Sequence, residues 1–359
     1  MNYSPFRHLG SAFFIRRPIQ LTFFLTASCN ARCSFCFYLS RPKPAAKPPE
    51  LTVTEIEKVS ASLGKLLWLA FSGGEIFLRR DVEQVAAIFY KHNQPAIILL
   101  PTNGLLTETI LAKTELILQN CPKSTIVVKL SLDGLEALHD SLRGVPGAFQ
   151  KTMNTYQALS PLLGRYPNLE LGINSVFCLA NQDKMDELID FVAGLDQIRT
   201  HTVSLIRGEV IDGQLKEVDM AKYYKAVERL AANLRNKLSD TYHFKGARLK
   251  AAQDILQRRL IHETVRQQRR LIPCYAGRLN LVLTETGGLY PCESFDMPFG
   301  NVRESGCDVG RLLKSGPAQK ILTAIKNNKC YCTHECYFMT NILFNPALYP
   351  ALLKEYRRL

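Results

Sequence analysis

The sequence predicts an α/β fold in which parallel strands are covered by helices. Six short segments are rich in apolar, β-branched and aromatic residues, as strands are. Each is followed by a segment in which apolar residues recur at helical spacing. The strand segments are apolar almost continuously, which is typical of strands buried on both faces between helices. Repeated strand–helix units of this kind predict a parallel sheet.

The elements follow in chain order. The first strand is Ile19–Leu25, and a capping-box pattern, Thr52-Val53-Thr54-Glu55, begins the first helix after a proline-rich surface loop at 41–49. The later strands are expected at 65–71, 96–100, 125–131, 169–178 and 200–206. The later helices are expected at 81–92 and 107–120, in segments that follow the strand at 125–131 and continue to about 163, and at 183–195. Six units are fewer than the eight of a closed barrel.

Two long helical patterns follow, at 214–237 and 245–270. The second is strongly basic, which suits either contact with an acidic partner or membrane surface, or a solvated linker helix.

Composition describes an ordinary globular protein with a basic surface. The chain has 359 residues, is 47% hydrophobic and 21% charged, and carries a formal net charge of +13. This charge suits an anionic substrate, an acidic redox partner, nucleic acid or an anionic membrane surface, and does not choose among them. No signal peptide or membrane-spanning stretch is recognisable, so we expect a cytoplasmic protein with, at most, peripheral membrane contact.

The eleven cysteines are concentrated at two places, which indicates metal ligation in a reducing compartment and not a disulfide framework. Cys29, Cys33 and Cys36 follow the first strand on one loop. Thiolates are the usual ligands of iron–sulfur clusters, and three thiolates on a four-iron cube leave one iron open. The alternatives are a zinc site, which normally takes four protein ligands, or three incidental thiols.

The pattern Cys-x3-Cys-x-aromatic-Cys, formed by Cys29, Cys33, Phe35 and Cys36, resembles the cysteine loop of the radical S-adenosylmethionine (radical SAM) superfamily. The resemblance implies a partial (β/α)6 TIM-like barrel and a [4Fe-4S] cluster whose open iron binds SAM. In such enzymes, reductive cleavage of SAM yields a 5′-deoxyadenosyl radical that abstracts a hydrogen from the substrate. The resemblance also implies an electron donor of the flavodoxin or ferredoxin type.

Further motifs at the strand ends resemble the SAM-binding motifs of this superfamily. The resemblance places Gly73, Gly74 and Glu75 near the SAM amino group and Phe35 beside the adenine. The remaining cofactor-binding candidates implied by it are Ser131, Asp133, Arg143 and Asn174. Arg143 is the candidate for the SAM carboxylate, because a guanidinium binds carboxylates through two hydrogen bonds. Asp133, followed by glycine, is equally typical of a turn or helix cap.

The second cysteine group resembles the SPASM and twitch modules, which hold auxiliary clusters. It consists of Cys274, Cys292, Cys330, Cys332 and Cys336, with a predicted hairpin at 279–284 and 288–291. The resemblance implies one auxiliary [4Fe-4S] cluster in a C-terminal α+β twitch-like iron–sulfur domain. Cys274, Cys292 and Cys336 are expected among its four ligands, with Cys330 or Cys332 completing the set; a structural zinc site is the alternative.

The predicted organisation is an N-terminal segment 1–18, the barrel 19–212, a helical linker 213–271, the auxiliary cluster domain 272–345 and a tail 346–359. We expect a radical SAM enzyme that oxidises or rearranges a small, anionic metabolite. The first alternative is modification of a peptide or protein side chain, as in sulfatase and peptide maturases. An alternative of another class is a non-catalytic iron–sulfur or zinc protein that binds nucleic acid, which leaves the strand-end motifs without a role.

Overall fold

The strands of the computed structural model form one nine-stranded sheet in the order β6-β5-β4-β3-β2-β1-β7-β8-β9. The structure describes residues 2–12, 14, 17–40, 48–294, 297–327 and 330–359. Most of the predicted proline-rich loop, 41–47, lies outside the described residues. The strands are β1 Gln20–Thr26, β2 Trp68–Gly73, β3 Ile97–Thr102, β4 Thr125–Ser131, β5 Leu169–Phe177, β6 Thr200–Leu205, β7 Asn280–Leu283, β8 Gly288–Tyr290 and β9 Gly300–Asn301.

The helices confirm the predicted alternation. Thr52 caps the first of them, and the predicted capping box with Glu55 is present. The helices are α1 Val53–Ser62, α2 Val82–Asn93, α3 Thr107–Asn120, α4 Glu136–Arg143, α5 Ala148–Leu159, α6 Leu162–Arg165, α7 Met185–Ala193, α8 Met220–Arg235, α9 Ala247–Gln267, α10 Val309–Leu313, α11 Gly316–Asn327, α12 Glu335–Leu343 and α13 Tyr349–Arg358. None of the described helices is long and apolar enough to cross a membrane.

Strands β1 to β6 are parallel and form a partial TIM-like barrel. Their outward side chains pack under the helices; Leu21, Phe71 and Val128 belong to this main core. The inward positions, two residues apart on each strand, include polar residues such as Thr22, Lys129 and Ser204. Beside them, Trp68, Ala70 and Val127 form a smaller apolar cluster. The parallel sheet therefore has one apolar face and one face that is part polar and part apolar.

The C-terminal hairpin continues the barrel sheet. β7 pairs in parallel with β1, so that Leu281 lies opposite Leu21, and β8 then pairs with β7 in antiparallel fashion. The hairpin itself was predicted, whereas its pairing with β1 was not. This pairing brings the second cysteine group to the side of the barrel.

The basic helix α9 packs against α8, α12 and α13. Arg259 forms ion pairs with Glu228 of α8 and Glu355 of α13, and Lys250 pairs with Asp254 on α9 itself. Arg258 is buried. Much of the positive charge of this helix therefore stabilises the helical layer, and the prediction of a freely solvated basic face is wrong for these residues.

Candidate active site

The N-terminal cysteine loop leaves the carboxyl end of β1 and is fastened to α4. The amide of Arg32 donates to the Arg143 carbonyl at 2.9 Å, and the amide of Ser34 donates to the Leu142 carbonyl at 3.3 Å. Cys33 is buried, and Cys29 and Cys36 are half-buried. Burial raises the pKa of the Cys29 and Cys33 thiols. Within the described ranges, no group of three or more His, Cys, Asp or Glu residues is arranged to hold a single metal ion.

Gly73 and Gly74 bring the end of β2 against the start of this loop. A Cβ at Gly74 would collide with the carbonyl oxygen of Ser28, immediately before Cys29. Gly73 has a φ of +112°, and a Cβ there would collide with the Thr26 carbonyl oxygen. The glycines are therefore needed for close backbone approach at the root of the cysteine loop.

Glu75 is buried beneath the same region. Its carboxylate accepts hydrogen bonds from the amides of Phe77 and Asn103, at 3.2 and 2.8 Å, and from the Thr102 hydroxyl at 2.9 Å. Burial raises the pKa of Glu75 to about 7, opposed by these hydrogen bonds. The Asn103 side chain, which this contact helps to hold, lies 3.9 Å from the Cys29 sulfur.

Arg143 links α4, the end of β4 and the cysteine loop. Its Nη2 lies 2.5 Å from Asp133 Oδ2, and its Nη1 donates to the Cys33 sulfur at 3.5 Å. The guanidinium carbon is 5.4 Å from the centre of the Phe35 ring. Asp133 is fully buried and also accepts the Val176 amide at 2.8 Å. Burial alone would lower the pKa of Arg143, but Asp133 and Cys33 raise it, so the guanidinium stays charged.

The inward-facing residues of the barrel line a cavity of about 220 Å³, here called the barrel cavity. Ser131 and Asn174 both lie on its wall, and Asn174 Oδ1 is 3.1 Å from the Ser204 hydroxyl oxygen. Helices α9 and α12 supply the other side through residues such as Lys250 and Cys336. The cavity wall includes Ser72, which immediately precedes the glycines at the root of the cysteine loop.

Three of the charged side chains that line the barrel cavity are Lys129, Arg207 and Glu335. Lys129 on β4 is buried, and its ammonium donates to the hydroxyls of Thr200 and Thr202 at 2.5 and 3.2 Å. It forms no ion pair with the described carboxylates, and burial lowers its pKa to about 7. Arg207 lies 3.5 Å from Glu293.

The third group is Glu335. Its Oε2 accepts from the Ser204 hydroxyl at 2.8 Å, whereas its buried Oε1 has no hydrogen-bond partner among the described residues. Burial raises the pKa of Glu335.

Sequence reasoning missed Lys129 and Glu335. A signal was present: polar residues at alternate positions, as in Lys129-x-Ser131 and Thr202-x-Ser204, interrupt strands that are otherwise apolar. Of the two histidines near predicted strand ends, His139 is buried and accepts the Asp133 amide at 3.1 Å, and His201 lies 2.9 Å from the Ser175 hydroxyl.

The structure divides the second cysteine group. Cys274, Cys292, Cys330 and Cys332 line one cavity of about 100 Å³, here called the cluster cavity. Arg270 donates to the Cys330 sulfur at 2.7 Å.

Cys336 lies on the barrel cavity instead. Cys336 is the second residue of α12 and shares no cavity with Cys274 and Cys292, so its expected role as a ligand beside them stays a prediction. Cys121, Cys178 and Cys307 are buried thiols outside both cavities.

The chain has recognisable relatives among curated proteins, although no family model matches it. It is 27% identical over 302 residues, 80% of each chain, to the AdoMet-dependent heme synthase of Methanosarcina barkeri. It is 24% identical over 318 residues, 88% of this chain and 69% of the relative, to the sporulation killing factor maturation protein SkfB of Bacillus subtilis. Its fold matches the structure of anSMEcpe with bound AdoMet with a TM-score of 0.63, at 16% identity, over 95% and 96% of the two chains.

The fold and the relatives define the class: this is a radical SAM enzyme. Within that class, the chain belongs with the enzymes that carry a C-terminal SPASM/twitch-like auxiliary domain. Its relatives and solved neighbours include an AdoMet-dependent synthase and a structure with bound AdoMet. The non-catalytic alternative is therefore wrong.

Proposed function

We propose that this enzyme abstracts a hydrogen atom from a small anionic metabolite in the barrel cavity and that oxidation or rearrangement follows. The observation that carries the proposal is Lys129: a buried ammonium without an ion-pair partner among the described carboxylates lies on the wall of a cavity of about 220 Å³. A buried unpaired cation is costly, which is why burial lowers the pKa of Lys129 to about 7; an anionic ligand offsets that cost and favours the charged form. A carboxylate of the substrate is the group that fits.

The residues at the cysteine loop fit a cluster that binds SAM. Cys29, Cys33 and Cys36 supply thiolates, the donor type that iron–sulfur clusters take. When bound, the cluster and SAM supply a 5′-deoxyadenosyl radical. Arg143 holds its charge beside Cys33, ready for an anionic group of SAM, and Phe35 packs against that guanidinium.

Several other residues have supporting roles in this proposal. Asp133 positions Arg143. Gly73 and Gly74 set the close approach of β2, and Glu75 orients Asn103 towards the loop.

The cluster cavity fits the auxiliary cluster. Its four thiols, from Cys274, Cys292, Cys330 and Cys332, match the four ligands that a closed four-iron cube takes. Arg270 contacts Cys330 Sγ and the backbone carbonyl oxygens of Cys330 and Ile325. We assign Arg270 the role of ordering this segment and stabilising a thiolate there.

In the barrel cavity, Lys129 binds the substrate anion and Glu335 receives a proton. The free Oε1 of Glu335 is buried, and its other oxygen is held by Ser204. Oxidation of an H–C–OH group to a carbonyl would release the C–H hydrogen atom to the 5′-deoxyadenosyl radical, one electron to the auxiliary cluster and the hydroxyl proton to Glu335.

A second candidate is modification of a peptide side chain. A larger cavity of about 640 Å³, here called the lateral cavity, lies beside β6 and shares Thr202, Tyr242 and Asp254 with the barrel cavity. The two together have room for a chain longer than a small metabolite. The similarity to SkfB, a maturation protein, supports the same candidate.

The test measures how added compounds stimulate formation of 5′-deoxyadenosine by the anaerobically reconstituted enzyme. Carboxylate metabolites are compared with short peptides, in wild type, Lys129→Met and the exposed control Lys123→Met. We expect carboxylate metabolites to stimulate the wild type and the control. Loss of one charge-assisted hydrogen bond should weaken the binding of these metabolites to Lys129→Met by about 2 kcal/mol, which is a roughly thirtyfold loss of affinity. Stimulation by peptides alone would favour the second candidate.

A further inference from the structure

The two cavities that contain the C-terminal cysteines separate Cys336 from the other four. Cys274, Cys292, Cys330 and Cys332 are electrostatic neighbours: burial is the main cause of the raised pKa of Cys332, and Cys274 and Cys330 add to it. The charged neighbours of Cys336 are residues of the barrel cavity, Glu293, Arg207 and Glu335. The thiol of Cys336 therefore belongs to the space where the substrate is proposed to bind.

A second observation marks this part of the cavity as a place for a ligand. Gln20 on β1 is 1% exposed and lines the barrel cavity, and no residue in the described part of the chain forms a hydrogen bond with its Oε1. Its Nε2 donates to the Cys336 carbonyl oxygen at 3.2 Å, which fixes the start of α12 against β1. A buried acceptor without a donor is costly, so a ligand that donates to Gln20 is expected beside Cys336.

The protonation state of Cys336 suits a hydrogen donor. Burial, followed by Glu293, raises its pKa to about 12. At neutral pH the group is thus an S–H and not a thiolate. Burial raises the pKa of Cys292 and Cys332 as well, so Cys336 is set apart by its place in the barrel cavity and not by its pKa. An S–H bond is weaker than most C–H bonds, so a carbon radical removes its hydrogen readily.

We propose that Cys336 is a substrate-facing thiol that donates a hydrogen atom to the carbon radical formed in the barrel cavity, and that it is not a ligand of the auxiliary cluster. This inference rests on the proposed radical reaction in that cavity and on its rearrangement outcome, because a returned hydrogen atom leaves the substrate without net oxidation. The S–H bond of Cys336 breaks and a C–H bond forms on the substrate carbon. The thiyl radical that remains takes one electron from the low-potential reductant that SAM cleavage already requires, and one proton from solvent, which restores the thiol.

The ligand assignment is tested without turnover. The full chain, loaded anaerobically with iron and sulfide, is compared as wild type, Cys336→Ala and Cys332→Ala. Cys121→Ala is the matched control, because Cys121 is buried at the end of α3 and lines neither cavity. Iron content and the EPR spectrum of the reduced protein are measured. Cys336→Ala and Cys121→Ala should retain wild-type iron, whereas Cys332→Ala should lose about four iron atoms per chain.

The hydrogen transfer is tested with SAM as the only added organic compound. Each protein is incubated with SAM and dithionite in D2O, so that the 5′-deoxyadenosyl radical stands in for the substrate radical, and the 5′-deoxyadenosine is analysed by mass spectrometry. Ser72 and Ser131, beside the proposed SAM site, line the same cavity as Cys336. The exchangeable S–D group should therefore deliver deuterium to 5′-deoxyadenosine in wild type and in Cys121→Ala. The 5′-deoxyadenosine formed by Cys336→Ala should lack this deuterium, because the O–D bond of water is too strong for the radical to break.

The outcomes separate the two proposals. Loss of iron from Cys336→Ala would show that Cys336 is a cluster ligand. An unchanged deuterium content of the 5′-deoxyadenosine formed by that variant would show that another group donates the hydrogen. Either result would overturn this inference without affecting the proposed radical reaction. Failure of the cluster-loaded wild type to form 5′-deoxyadenosine would overturn the proposed function, and this inference with it.

Discussion

At the scale of single residues, the site depends on charged groups that folding removes from water. Arg143 and Asp133 compensate each other at 2.5 Å, and Asp133 is in turn fixed by the Val176 amide. Lys129 has hydroxyl and carbonyl oxygens around it but no ion-pair partner among the described carboxylates. In the first arrangement two opposite charges offset each other, whereas Lys129 depends more strongly on an anionic ligand.

The depressed pKa of Lys129 predicts a dependence of stability on pH. Burial lowers this pKa from 10.5 to about 7, so between these values the unfolded chain binds a proton that the folded chain does not. Unfolding then takes up a proton, and the free energy of unfolding rises as the pH rises from 7 to 10. The contribution of Lys129 is on the order of 4 kcal/mol over these three pH units.

Denaturant unfolding of wild type and Lys129→Met at several pH values checks this prediction, since the other titrating groups cancel in the difference between the two proteins. The wild type should gain stability relative to the variant as the pH rises. A difference that stays constant from pH 7 to 10 would mean that Lys129 is protonated in both states.

At the scale of elements, the strands, the helices and the cysteine loop follow from local sequence, and their contacts across the chain do not. The period of apolar residues predicts each strand and helix, and the Thr52 capping box predicts the start of α1. The pairing of β7 with β1 joins segments far apart in sequence and depends on the shape of the open barrel edge. The position of Cys336 depends likewise on where α12 begins, after Cys332.

The junction between β2 and the cysteine loop gives a prediction at this scale. Gly74→Ala places a methyl group against the Ser28 carbonyl oxygen, so the strand end or the loop has to move. We expect a loss of about 2 kcal/mol in the free energy of unfolding, as for other overpacked sites. We also expect weaker assembly of the N-terminal cluster, measured by iron content.

Gly213→Ala is the matched control, because a Cβ there meets nothing within 4 Å. It should change neither quantity appreciably. Equal effects of the two substitutions would contradict the close-approach explanation for Gly74.

At the scale of the whole molecule, the helical layer formed by α8, α9, α12 and α13 closes the barrel cavity on one side. α9 supplies Lys250 and Asp254 to this cavity, and α12 supplies Glu335 and Cys336. Glu355 of α13 connects the layer, because its carboxylate binds Arg235 of α8 at 2.7 Å and Arg259 of α9 at 2.8 Å. The basic character of α9 thus serves the assembly of the cavity wall.

The last prediction concerns Glu355, which is 4% exposed. Glu355→Ala leaves the guanidinium of Arg235 without its carboxylate and removes one of two from Arg259. Removing one partner of a buried ion pair costs about 3 kcal/mol. Amide hydrogen exchange should become faster throughout α13 and along the face of α9 that it covers, whereas β1 to β5 should keep their protection, because they belong to the main core. The exposed control Glu217→Ala should leave exchange in α13 unchanged. If α13 keeps its wild-type protection in Glu355→Ala, apolar packing through residues such as Leu352 holds the layer together without this ion-pair network.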